Sequence, residues 1–160
     1  MILADWEIQT LIDAKKLIIE PLSDDVIQSN GIDLSIGHEV IRISPDGPSP
    51  TMHEEEKITI GMGERCLIGT LERLEMPIDL VGLVNIRSSY SRRGMMSPPT
   101  VIDAGFKGKL TFLVFGTAHT VELKVGERFW HVVLARTQTV AKPYQGKYQE
   151  STGVKGFKLD

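Results

Sequence analysis

The chain has little of what several common kinds of protein are built from. Its one cysteine, Cys66 in "GERCLIGTL", excludes an intramolecular disulfide and a thiolate metal cage, and reads as a small buried hydrophobe. Four histidines, His38, His53, His119 and His131, are scattered and make no HxxxH pair, so no direct metal site is expected. Basic charge is not in excess: 18 Lys and Arg stand against 21 Asp and Glu, for a net charge of −3. That balance argues against a nucleic-acid partner held on a basic surface, and any anionic ligand must be met locally. No apolar run approaches membrane-spanning length, and "MILADWEIQTL" has acids where a signal peptide needs a basic start. The expectation is a cytoplasmic protein without a membrane partner. No internal repeat of solenoid length is found either.

What is present is ordinary globular composition, 41% hydrophobic and 24% charged over 160 residues, which predicts one domain spanning 1–160. Ile8, Leu11 and Ile12 have helical spacing, with Asp5 as the expected N-cap. After this short helix the chain breaks into apolar or alternating runs: "IDLSIG", "EVIRIS", "KITIG", "CLIGTLERL", "LVGLVNI", "KLTFLVFG", "TVELKVG" and "RFWHVVLARTQTVA". Short strands at such spacing predict an all-β barrel or jelly roll. "SPDGPSP" at 44–50 reads as loop, and "HEEE" at 53–56 as solvated surface rather than a metal cluster. The tail from Lys142 has little apolar periodicity and is expected to leave the core as an extended or mobile arm, able to serve as a lid.

Four segments carry candidate chemistry. "NIRSSYSRRG" leaves an apolar strand and at once offers Arg87, Ser88, Ser89, Arg92 and Arg93, guanidinium forks and hydroxyls that suit a polyphosphate; the plain alternative is a solvated strand end. Asp103 follows the prolines of "SPPTVI" and precedes Gly105 and Gly108, where it could orient or deprotonate a water, or merely cap a turn. Phe106 between those glycines is a stacking platform or a core residue. In "NGIDLSIG", Asp33 follows an Asn-Gly turn and reads as a buried, hydrogen-bonded acid. "KPYQGKYQ" supplies Tyr144, Lys147 and Tyr148, an aromatic and cationic closure or an ordinary tail.

Taken together, "LADWEIQTLI", "NGIDLSIG", "RSSYSRRG", "TVIDAGFKGKLTF", "VGERFWHVVL" and "YQGKYQ", in that order over nearly the whole chain, resemble the dCTP deaminase and dUTPase superfamily, in its deaminase-like branch. The resemblance implies a homotrimeric distorted β-barrel or jelly roll with active sites at subunit interfaces. It implies that Arg87, Ser88, Ser89, Arg92 and Lys147 hold triphosphate, and that Asp103 activates the attacking water near the sugar 3′-hydroxyl. Phe106 would pack on the deoxyribose, with Thr100, Val101, Ile102, Tyr144, Tyr148 and Gln149 around the nucleoside. About 142–160 would form the closing arm, and Asp33 and His131 would have supporting roles. The family uses Mg²⁺ on the triphosphate and not zinc; the single cysteine agrees, since zinc nucleobase deaminases need two or three.

The chain departs from its deaminase relatives at one position that bears on chemistry. Their proton-moving glutamate, ten residues after the acid of the "ID" motif, is Leu113 here, and a leucine neither accepts nor donates a proton. The next carboxylate is Glu122, past the strand and its turn. His131 and Ser151 stand where relatives have glutamines; His131 is read as a packed or interface strand residue. The expected function is therefore a dUTP diphosphatase, giving dUMP and pyrophosphate for dTTP supply and exclusion of uracil from DNA. The alternatives are a dCTP deaminase, alone or bifunctional, and a nucleotide-binding trimer without turnover.

Overall fold

The computed structural model describes residues 1–44, 47–48 and 51–156. Along the chain come α1 (Asp5–Asp13), β1 (Ile18–Glu20), β2 (Ile27–Gln28), β3 (Gly31–Ser44), β4 (Gly47–Pro48), β5 (His53–Glu54), β6 (Lys57–Ile60) and β7 (Arg65–Glu75). There follow β8 (Leu80–Ile86), a single helical turn α2 (Ser88–Ser91), β9 (Thr100–Ile102), β10 (Lys107–Phe115), β11 (Val121–Lys124) and β12 (Arg128–Arg136). The expected all-β architecture is what forms, as a curled half-barrel sheet of ten strands and a two-stranded sheet of β6 and β11, with a short helix at the start.

Two long strands give the sheet its curl. β7 pairs with β10 along one edge, and with β3 and then β1 along the other. β3 pairs with β12 over residues 31–35 and passes to β7 at Ile36, with a register shift between Ile36 and Val40. "IDLSIG" and "EVIRIS" are therefore one bent strand rather than two, because a bulge raises local twist without ending the ladder. β12 continues the sheet through β8 to β9. Inward side chains close the core, with Ile32, Leu34, Ile36, Ile68, Phe129, Trp130 and Val132 fully buried. Trp130 meets Phe112 and Phe129 with ring centroids 4.8 Å apart in both pairs.

Several local expectations are corrected. The N-cap of α1 is Ala4, not Asp5; the Glu7 carboxylate accepts from the Ala4 N–H at 3.0 Å, so an acid one turn inside the helix does the capping. Gln28 pairs with Gly31, which makes Ser29–Asn30 the hairpin turn and Gly31 the first residue of β3. Glycine is required there because a Cβ would lie 2.0 Å from the Val132 carbonyl oxygen. In the segment expected as loop, Ser44 belongs to β3 and Gly47–Pro48 pair back on it, the other residues of 45–50 lying outside the described ones. "HEEE" is the surface segment that was expected: His53–Glu54 form an exposed strand on β3, and Glu55 pairs with Arg42 at 3.0 Å.

The tail is extended, but it is docked along its own chain. Tyr144 N–H donates to the Ala104 carbonyl at 2.9 Å, Glu150 N–H to Lys107 at 2.8 Å, and Lys109 N–H to Ser151 at 2.7 Å. Gly108 bridges Ser151 in parallel, and the Lys155 N–H reaches Thr111 Oγ1 at 2.9 Å. No helix among the described residues is long and apolar enough to cross a membrane.

Candidate active site

The residues singled out from the sequence fall into two groups. The first forms where β8 ends. Ile86 is the last strand residue, Arg87 is extended (φ −62°, ψ 142°), and its N–H donates to the Phe129 carbonyl at 2.9 Å before the chain turns into α2. This exposes Ser88, Ser89 and Arg92, while Tyr90 turns inward. Beneath them lies Asp33, only 2% exposed. Its Oδ2 faces Arg87 Nε at 3.1 Å and Arg128 at 3.5 Å, and its Oδ1 meets His131 Nδ1 at 2.8 Å. Asp33 is the buried, hydrogen-bonded acid that was expected, and it fixes the Arg87 guanidinium, which also donates to the Arg128 carbonyl at 3.2 Å. Arg128 is shared with a second carboxylate, Asp25, whose Oδ2 lies 3.1 Å from its Nε, so the donors this corner offers an anion are the exposed Arg92, Ser88 and Ser89 beside the held Arg87. His131 is half-buried on β12, between Asp33 and Asn85 in register.

The second group surrounds a pocket of about 350 Å³. β9 brings Thr100, Val101 and Ile102 to its wall, and Asp103 follows at the start of a turn whose Phe106 N–H returns to the Asp103 carbonyl at 3.1 Å. Gly105 makes that turn at φ +78°, and a Cβ on it would lie 2.9 Å from the Pro143 ring. Asp103 is exposed, and no side chain among the described residues pairs with its carboxylate. Phe106 is the core residue the sequence allowed, 5% exposed and edge-on to Tyr144 at 5.8 Å, and it also lines the pocket. Tyr148, Ser151, Lys155 and Gly156 complete the tail's wall.

Gln149 and Lys147 stand outside that lining. The Gln149 amide donates to the Gly105 and Tyr144 carbonyls at 3.0 and 3.2 Å and accepts from the Lys107 N–H at 2.8 Å, so it pins the tail to the turn. Lys147 is exposed, with its ammonium 5.8 Å from the Tyr148 ring centroid. Lys109, Leu110, Thr111, Phe112 and Lys155 line the pocket without having been singled out. A register shift between Lys109 and Thr111 breaks the strand alternation that would have revealed which face they take.

Leu113 lies on β10 opposite Leu67, and Leu67 lies opposite Ile41 of β3. That row across the sheet is wholly apolar, so no neighbouring strand supplies the missing carboxylate at this level. The two groups do not meet within one chain. Asp103 comes one residue after the Ile102–Gly82 pair and Arg87 one residue after Ile86, opposite ends of β8 separated by about 20 Å at the usual strand rise.

Comparison with known proteins places this arrangement. Residues 2–137 match the family model described as dCTP deaminase-like. A protein of Sulfolobus islandicus rod-shaped virus 1 named "Probable deoxyuridine 5'-triphosphate nucleotidohydrolase" is 45% identical, with 100% of both chains covered. A protein of Desulfurococcus amylolyticus named "dCTP deaminase" is also 45% identical, with 100% of this chain and 96% of the other covered. Among solved structures, the dCTP deaminase of Agrobacterium tumefaciens superposes with a TM-score of 0.72 at 21% identity, over 85% of this chain and 48% of that longer one. The EIAV dUTPase superposes with a TM-score of 0.54 at 15% identity, over 83% and 98%. These structural likenesses are of fold.

Proposed function

Because the chain belongs to the dCTP deaminase-like family of nucleotide-metabolism enzymes, we propose that it is a dUTP diphosphatase. Water attacks the α-phosphorus in line, the bond to the bridging oxygen of the β-phosphate breaks, and dUMP and pyrophosphate leave. Asp103 takes the proton from the attacking water; its exposed, unpaired carboxylate on the pocket wall supports that role. Arg87, Ser88, Ser89 and Arg92 hold the triphosphate, with Arg87 fixed by Asp33. Phe106 and Tyr144 receive the deoxyribose and base, with β9 beside them, and Lys147 approaches the phosphates from the tail. The active unit is a homotrimer in which Arg87 of one chain meets Asp103 of another, and the separation of these residues along β8 supports it.

Magnesium carried on the triphosphate supplies charge neutralisation for the leaving pyrophosphate. No cluster of three His, Cys, Asp or Glu side chains among the described residues could hold a metal.

Leu113 is the observation that carries the choice of reaction. Deamination at the cytosine ring needs a group to move protons, and Leu113, Leu67 and Ile41 offer none. The rival reading, dCTP deamination, is favoured by the names of relatives such as that of Desulfurococcus amylolyticus. Incubation with dUTP and dCTP separately, with Mg²⁺, divides the two: dUMP and pyrophosphate are expected from dUTP alone, and any dUTP or dUMP formed from dCTP overturns the assignment. Binding of dUTP with no product would leave a nucleotide-binding protein without turnover. In the same assay Asp103→Asn is expected to lower kcat about a thousandfold while dUTP still binds; full activity in that variant removes Asp103 from the mechanism.

A further inference from the structure

The donors of the first group sit on an element with little stability of its own. α2 is one turn of four residues with no side-chain cap, and an isolated turn does not repay the cost of its nucleation. It is held from below by Tyr90, 5% exposed, whose ring packs on Phe129 at 4.5 Å between centroids, with the Arg93 guanidinium 5.7 Å from its centroid. The Tyr90 hydroxyl donates to Glu127 Oε1 at 2.5 Å. Glu127 is itself fixed: its Oε2 accepts from the Lys124 N–H at 3.1 Å, and its carbonyl accepts from the Ile36 N–H at 3.0 Å. The neighbouring Gly126 turns at φ +81° and donates its N–H to the Ile36 carbonyl at 2.8 Å. A continuous path thus runs from β3 through the β11–β12 turn and a charge-assisted hydrogen bond into the middle of α2. Burial, and then Glu127 itself, push the Tyr90 hydroxyl well above the ordinary phenol range, so it stays a donor across the working pH.

We propose that Tyr90 and Glu127 are positioning residues for polyphosphate binding, their hydrogen bond setting the orientation of α2 and so the aim of Ser88, Ser89 and Arg92. The proposal rests on the reading above that these groups hold triphosphate. Neither residue touches the ligand. Since the clamp serves ground state and transition state alike, its loss acts on binding rather than on the chemical step.

Tyr90→Phe keeps the ring and its packing and removes only the donor. Dissociation of inorganic tripolyphosphate, measured by calorimetry on the intact protein, is expected to weaken about tenfold, and KM for dUTP to rise by the same factor with kcat little changed. Glu127→Ala, which also loses the acceptor for the Lys124 N–H, should weaken binding at least as much, and the double variant should add little to Glu127→Ala, because the Tyr90–Glu127 bond is already gone in it. Glu127→Gln, which keeps an acceptor oxygen, should recover most of the affinity that Glu127→Ala loses. Wild-type tripolyphosphate affinity in Tyr90→Phe, or a fall in kcat at unchanged KM, overturns the proposal. Tripolyphosphate carries no base and no scissile nucleoside bond. A wild-type protein that binds it without hydrolysing dUTP would therefore refute the diphosphatase reading and leave the clamp testable; one that does not bind it refutes the cradle itself.

Discussion

At the scale of single residues, buried acids separate by what surrounds them. Asp33 has two arginines and a histidine, whereas Glu72, equally buried at 2%, has the Ser35 N–H at 2.8 Å and no ion-pair partner among the described residues. Burial pushes the Glu72 carboxyl up from its ordinary 4.5, opposed by its bonds to Ser35 and by the charge of Lys109. The folded chain keeps this proton to higher pH than the unfolded one. It therefore contributes stability that is fully present below about pH 4.5 and is lost as pH rises through the raised value. Glu72→Gln keeps the shape and one acceptor, so the urea midpoint of the variant should fall less with rising pH than that of the wild type; equal slopes would remove Glu72 from the pH response. Asp33 was legible in the sequence as a buried acid because a lone carboxylate inside an apolar strand needs partners. The identity of those partners was not, since Arg87, Arg128 and His131 come from distant strands. Leu113 was legible because its position counts from Asp103 and needs no fold to locate it.

At the scale of elements, strands were legible where alternation runs, unbroken in β8 and over most of β7 and β12. It failed at bulges. The shift at Ile36–Val40 hid the continuity of β3, and that at Lys109–Thr111 hid which β10 residues face the pocket. The docking of the tail on its own chain was not legible for a different reason. It is held by backbone hydrogen bonds and the Gln149 amide rather than by a buried apolar face, and such bonds leave no periodic trace. The same kind of close backbone approach fixes Gly31, where β3 meets β12 two residues before Asp33. Gly31→Ala drives a methyl group to 2.0 Å from the Val132 oxygen. It should cost about 3 kcal/mol, read as a lowered urea midpoint, and should weaken nucleotide binding by shifting Asp33 beneath Arg87. Wild-type stability would mean that the two strands separate without penalty.

At the scale of the whole molecule, one chain carries both halves of the proposed site but holds them about 20 Å apart along β8, too far for a single nucleotide to be held by one chain and hydrolysed by it at once. In the proposed homotrimer a closed ring of identical subunits would present the Arg87 end of each chain to the Asp103 end of the next. Exposed apolar side chains lie on the strands between those ends: Leu83 of β8, 46% exposed, is paired in register with Val101 of β9, 52% exposed. The arrangement predicts complementation. Arg87→Ala and Asp103→Asn chains should each be inactive as separate preparations. Unfolded together and refolded as a one-to-one mixture, about a quarter of the sites should receive an intact Arg87 from one chain and an intact Asp103 from another, and about that fraction of wild-type dUTP turnover should return. Mixing the folded preparations without subunit exchange should restore nothing. If co-refolding restores nothing either, while the mixed oligomers are shown to form, both residues act within one chain and the shared site is wrong.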